Sequence, residues 1–205
     1  MFGKIASDVL GLSDIGKVIH PKDFDKVDSD DYVFHEDKEK IFFLIKSKKD
    51  EYCFTNYAII HLDGESATSS KRKLYRYSYK EYRLENVWLE TAGTVDLDVE
   101  LKFTLVGNNE RVNFSIDVDK REIEALKDIY KSLIKIAELQ DKNETYLNIA
   151  NRSISGVLEA LKLTTLQSAE ELQKMNEYAY NWLIARNKEF VVEDFTHVFE
   201  KYINN

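Results

Sequence analysis

The sequence predicts an α+β chain. Seven antiparallel strands form a β-sandwich or partly open barrel, one amphipathic helix caps it, and an all-α helical hairpin follows. Three observations carry this reading. Residues 95–105 alternate, with Val95, Leu97, Val99, Leu101, Phe103 and Leu105 on one side and Asp96, Asp98, Glu100, Lys102 and Thr104 on the other. A period of two over this length marks a strand with one buried and one wet face. Near Asp119 the period changes to that of a helix, with Ile123, Leu126, Ile129, Leu133 and Ile136 on one stripe. From about residue 141 onward the spacing stays helical.

The elements follow in order. Phe2, Ile5, Ala6, Val9 and Leu10 recur at helical spacing until Gly11 and Gly16 interrupt them. Lys4 is balanced by Asp8, so this face lacks the basic residues of a membrane-surface helix and is expected to dock on protein. Strands are expected at Lys40–Ser47, Glu51–Phe54, Tyr57–Leu62, Lys71–Ser78, Leu84–Thr91, Val95–Leu105 and Val112–Ile116. Lys48-Lys49-Asp50, Asp63-Gly64 and Gly107-Asn108-Asn109 supply turn chemistry between them. Asp119, with Glu122 three residues on, reads as the cap of the first helix.

Leu147, Ala150, Ile154, Val157 and Leu161 make one helical seam, and Leu172, Met175, Ala179 and Trp182 make another. Ser168-Ala169-Glu170-Glu171 is a capping box opening the second, and the short link 162–167 turns the pair into a hairpin. Val192, Phe195, Phe199 and Tyr202 suggest a short terminal helix. The expected division is a β-rich domain over 1–140 and a helical extension over 141–205.

Composition narrows the classes. One proline and seven glycines in 205 residues exclude collagen-like repeats and Pro- or Gly-rich linkers. A hydrophobic fraction of 43% supports a real core, and a net charge of −8 disfavours a general nucleic-acid-binding surface. The single Cys53 cannot close an intramolecular disulfide and reads as a buried small hydrophobe. With no leader-like or membrane-spanning apolar run in view, the expected location is the cytoplasm.

Seven short strands need two packed sheets or a barrel to bury their apolar faces, and a terminal helix can plug one open end. That is the pleckstrin-homology (PH) architecture. The run Glu90-Thr91-Ala92-Gly93-Thr94-Val95-Asp96-Leu97-Asp98-Val99-Glu100-Leu101 resembles the signature of a bacterial PH-domain family, and Phe54-Thr55-Asn56-Tyr57, Asp63-Gly64 and Tyr75–Tyr82 fit the same order. Coverage is about residues 30–135. The helical tail resembles the YvbH-like oligomerisation region that follows this domain in some members. The resemblance implies a PH-like fold, ring-like homo-oligomers and no known catalytic activity. Between Gly64 and Leu74 the chain departs from the family pattern by being polar and strongly basic.

Several constellations could carry chemistry. Residues 71–83 hold six positive side chains and one negative, interleaved with tyrosines. Lys71, Arg72, Lys73 and Arg76 are the candidate anionic-ligand patch. Base stacking, a lipid headgroup surface, or plain cross-strand pairing with tyrosines at the core edge would each suit the pattern. Asp96, Asp98 and Glu100 place three carboxylates on one strand face. They would serve acid–base chemistry or a hard cation, but no histidine or nucleophile accompanies them, so a structural or subunit-contact role is expected. His20, His35, His61 and His197 are scattered without metal-ligand spacing. His61 sits in a strand and is read as either solvent-facing or buried and hydrogen-bonded.

The expected function is therefore a non-enzymatic interaction module that forms a homo-oligomer, with no catalytic, metal or cofactor site. Candidate contacts between copies are Leu147, Ile154, Leu161, Leu172, Met175 and Trp182. A peptide or protein partner fits the same reading. Anionic lipid, reached through strand 71–83, is the alternative, and nucleic acid is disfavoured.

Overall fold

The computed structural model describes residues 14–64, 72–91, 98–107, 109–162 and 168–203. The expected helix at Phe2–Leu10, the start of the strand at Val95–Leu97 and the side chains of Asp96, Lys71 and Leu161 lie outside the described residues.

Among the described residues, eight strands form two antiparallel sheets. The first has the order β1 (Lys17–Val18), β2 (Ile41–Lys46), β3 (Glu51–Thr55), β4 (Ala58–Gly64), β5 (Arg72–Ser78), and the second β6 (Arg83–Glu90), β7 (Asp98–Val106), β8 (Arg111–Asp119). The seven expected strands are all present. The addition is the two-residue β1, too short to leave a periodic signal. Gly16, just before it, ties the two sheets together. Its N–H donates to the Asp117 carbonyl at 2.8 Å, and its own carbonyl accepts from the Asp119 N–H at 2.9 Å. A β-carbon there would stand 2.7 Å from Ile45 Cγ2 and 3.1 Å from the Asp117 oxygen, so only glycine allows this close approach.

The inner faces interdigitate. Phe54, Ile59, Leu101, Phe103, Leu105 and Ile116 are buried between the sheets. Phe103 stacks on Phe114 at 4.7 Å and meets Phe54 edge-on at 6.1 Å. The expected stripe on α1 (Ile123–Lys162) closes the core, with Leu126, Ile129, Leu133 and Ile136 fully buried. Asp119 is a cap, although of a different kind. Its carboxylate accepts from the Arg121 N–H and opens a 3-10 turn over Lys120–Glu122 that leads into α1.

A third layer covers the outer face of the five-stranded sheet. It consists of 3-10 turns over Pro21–Lys26, Asp28–Tyr32 and His35–Asp37. Val27 and Val33 from this layer pack with Ile19, Leu44, Cys53, Ile60 and Leu62. Cys53 is completely buried, and that burial pushes its thiol well above its ordinary range.

Contacts divide the described residues into two compact units. One runs up to Ala137 and also includes the residues from Glu193 onward; the other is Glu138–Val192. A division at residue 140 groups the last residues with the hairpin, whereas their contacts group them with the β-rich unit. α3 (Thr196–Tyr202) explains why. Phe199 stacks on Phe42 at 5.2 Å, Phe195 meets Tyr79 edge-on at 5.4 Å, and both phenylalanines are fully buried.

The second unit holds the remainder of α1 and α2 (Ala169–Phe190). The Ser168 hydroxyl accepts from the Glu171 N–H at 3.2 Å, as the capping box requires. The Tyr146 and Phe190 rings lie 5.6 Å apart, so α2 runs back along α1 as the expected hairpin.

Candidate functional site

The basic strand meets a buried acid. Glu39, wholly buried, sits under β5 because the 3-10 turn ending at Asp37 and the left-handed Lys38 turn the chain toward the sheet. Its Oε1 accepts from Arg76 Nη2 at 3.0 Å and from the Thr55 hydroxyl at 2.5 Å, and its Oε2 from the Phe34 N–H at 2.8 Å. The Arg76 guanidinium also lies 4.5 Å over the Phe34 ring. A second buried acid repeats the device. Glu51 pairs with Lys46 across β2 and β3 and accepts from the Ser29 N–H at 2.8 Å. These two carboxylates hold the 3-10 layer on the sheet.

The candidate anionic-ligand residues are therefore dispersed. Arg76 faces Glu39, and Arg72, four residues back on the same strand side, donates to the Lys49 carbonyl. Lys73 belongs to the opposite side, across from Asp63 in β4. Lys71 lies outside the described residues.

The tyrosines of β5 build something else. Tyr52, His61 and Tyr75 are in register across β3, β4 and β5. Their rings stack in a ladder, 4.5 Å between the first two and 5.9 Å between the second two. Tyr77 and Phe114 continue the aromatic wall, 5.5 Å apart and edge to face. Together with Tyr82 and the β8 residues Val112–Ser115 they line a cleft of about 730 Å³. His61 is half-buried there, with its Nε2 3.4 Å from Asp50 Oδ1, so both expected features of this residue are present in part. Tyr82 donates to the Glu110 carboxylate. Burial raises the Tyr52 phenol first, and the charges of Asp50, Asp63 and Asp117 raise it further. Burial and Glu110 push Tyr77 up to about 12. The cleft was only half legible in the sequence. Alternating tyrosines marked β5, but Tyr52, His61 and Phe114 reach it from strands whose register no local pattern specifies.

The acidic strand face is held by neighbours. Glu100 pairs with Lys102 at 2.6 Å and accepts from the Ser115 hydroxyl, and these contacts hold its carboxyl below the usual range. Asp98 lies opposite Asp119. Asp98, Glu100 and Lys102 are half-buried, and no group of side chains suited to a metal ion occurs among the described residues.

On the hairpin, Ile154 is buried together with Ala150 and Ala179. Leu147, Met175 and Trp182 are half-buried. Leu172 is 55% exposed, and Ile149, Val157, Tyr178 and Tyr180 are exposed elsewhere in the same unit. No helix among the described residues is long and apolar enough to cross a membrane.

Residues 9–137 match the family model described as "Bacterial PH domain". The chain belongs to the bacterial PH-domain family. Residues 144–205 match a second model, the "YvbH-like oligomerisation region". This bacterial PH protein is 53% identical over 208 residues to the "Uncharacterized protein YvbH" of Bacillus subtilis (strain 168), covering all of both chains. It is also similar to the crystal structure of a PH-domain-containing protein from Exiguobacterium sibiricum 255-15. That match has 48% identity and a TM-score of 0.83, covering 93% of this chain and all of the other. The family is one of non-catalytic PH-like modules, and here the module is joined to a region named for oligomerisation.

Proposed function

We propose that this bacterial PH protein is an interaction module that assembles with copies of itself through the helical hairpin into a closed, ring-like homo-oligomer. The observation that carries the reading is the exposure of Ile149, Val157, Leu172, Tyr178 and Tyr180 within the stretch that matches the oligomerisation region. Apolar residues concentrated in this way mark a surface that another surface covers. Among its described residues the hairpin buries one large apolar side chain, Ile154, beside Ala150 and Ala179, so association adds burial. Repeated head-to-tail contacts close into a ring when the rotation between copies allows.

Light scattering on the full chain tests this directly. The expected species at micromolar concentration is larger than 24.0 kDa by an integer factor. A monomer would overturn the reading. The alternative, an anionic-lipid or other anionic-ligand site on strand 71–83, is supported by the exposed Arg72 and Lys73, but the pairing of Arg76 with Glu39 weakens it.

A further inference from the structure

The aromatic cleft opens beside an unfinished strand edge. Gly16 pairs with Asp117 and Asp119 on the side of β8 that faces away from β7. Backbone groups alternate sides along a strand. The N–H and C=O groups of Asn113 and Ser115 therefore point the same way as those of Asp117. Among the described residues no strand pairs with β8 on that side, and Gly16 is an isolated bridge at its far end. Asn113 and Ser115 are also walls of the cleft. A row of backbone donors and acceptors thus borders a cavity of about 730 Å³ lined by Tyr52, His61, Tyr75 and Tyr77.

The charge around the cleft selects the occupant. Asp50 touches His61, Glu110 touches Tyr82, and Asp63 and Asp117 bear electrostatically on Tyr52. Arg76, the cation on the wall, has its guanidinium on Glu39, and Lys73 lies across from Asp63. Aromatic faces attract a cation, and nearby carboxylates strengthen that attraction.

We infer that the β8 edge and the aromatic cleft form a docking site for an extended peptide carrying a basic side chain. The peptide backbone pairs with Asn113 and Ser115, and an arginine or lysine reaches into the cleft toward Tyr75 and His61. Strand addition of this kind draws affinity from main-chain hydrogen bonds and specificity from pockets for alternate side chains. The site lies on the β-rich unit and does not depend on the hairpin.

The test uses the full chain labelled with nitrogen-15 and the blocked pentapeptide Thr-Val-Arg-Val-Thr, with a second peptide in which glutamate replaces arginine. The arginine peptide is expected to slow amide hydrogen exchange at Asn113 and Ser115 at least tenfold and to bind at least tenfold more tightly than the glutamate peptide. Tyr75→Ala, at a side chain 39% exposed, should weaken binding at least fivefold without loss of fold. Equal binding of the two peptides would overturn the proposal. So would unchanged exchange at Asn113 and Ser115 in the presence of the arginine peptide. Amides at these positions already as slow in the free protein as those of β7 would also overturn it, since the edge would then be covered by the chain itself or by a second copy.

Discussion

Arg76 Nη2 lies 3.0 Å from Oε1 of Glu39, a carboxylate with no exposure to solvent. The basic patch of the sequence thereby loses one of its cations to the fold. Removing one partner of such a pair strands the other, which is costly because a buried charge then lacks its compensation. Arg76→Ala is expected to destabilise the protein by about 3 kcal/mol. Glu39→Gln should cost less, because it leaves no uncompensated anion under the sheet. Urea denaturation of both variants checks the order, and a smaller loss for Arg76→Ala than for Glu39→Gln would contradict it.

The terminal helix is predicted to be part of the β-rich unit in energy as well as in contacts. Phe199 is fully buried against Phe42, and the Phe195 N–H donates to the Asn56 carbonyl at 2.9 Å. Phe199→Ala should lower stability by about 3–5 kcal/mol, the usual cost of emptying a buried phenylalanine site. Thermal melting followed by near-ultraviolet circular dichroism measures it. A shift in melting temperature of a degree or less would show that the helix is only loosely held.

Alkaline pH should weaken the fold through its buried tyrosines. Tyr77 is pushed up to about 12 by burial and Glu110, and burial also raises Tyr52 and Tyr79. Below pH 10, the usual value for an unfolded tyrosine, these phenols are neutral in both states and stability is unaffected. Above it the unfolded chain ionises first, so stability falls as pH rises through the interval between 10 and about 12 for Tyr77. Denaturation midpoints at pH 8, 10 and 11 should decline in that order. Tyr77→Phe should flatten part of the decline, and an unchanged slope in that variant would count against the assignment.

Self-association should depend on the exposed hairpin face. Leu172→Glu and Tyr180→Glu replace exposed apolar groups with charge and are expected to reduce the assembled fraction at least tenfold, while helical circular dichroism stays the same. Sedimentation velocity reads the change. Variants that assemble like the parent would place the contact elsewhere, and the next candidate is Trp88, 59% exposed on the outer strand β6.

Anionic vesicles separate the two readings of strand 71–83. If the strand serves structure, exchanging Lys71, Arg72 and Lys73 for alanine should leave vesicle flotation at low salt unchanged from the parent. A parent that floats and a triple variant that does not would instead favour the anionic-ligand reading.

The sequence by itself determined much of this protein. Period-two alternation placed the strands, because a sandwich buries every second residue, as Val99, Leu101, Phe103 and Leu105 show. Helical spacing placed the stripe Leu126–Ile136, and Ser168 announced its own cap, since capping is settled within four residues. Local chemistry is enough for such features. Only the tertiary structure decided where the charges and rings go. Arg76 finds Glu39 across 37 positions, Asn56 donates to Asp194 across 138, and Tyr52, His61 and Phe114 share one cleft from three strands. Those pairings follow from strand register and from the way the 3-10 layer and the terminal helix close over the sheet. They depend on which distant surfaces are buried together, which no local period encodes.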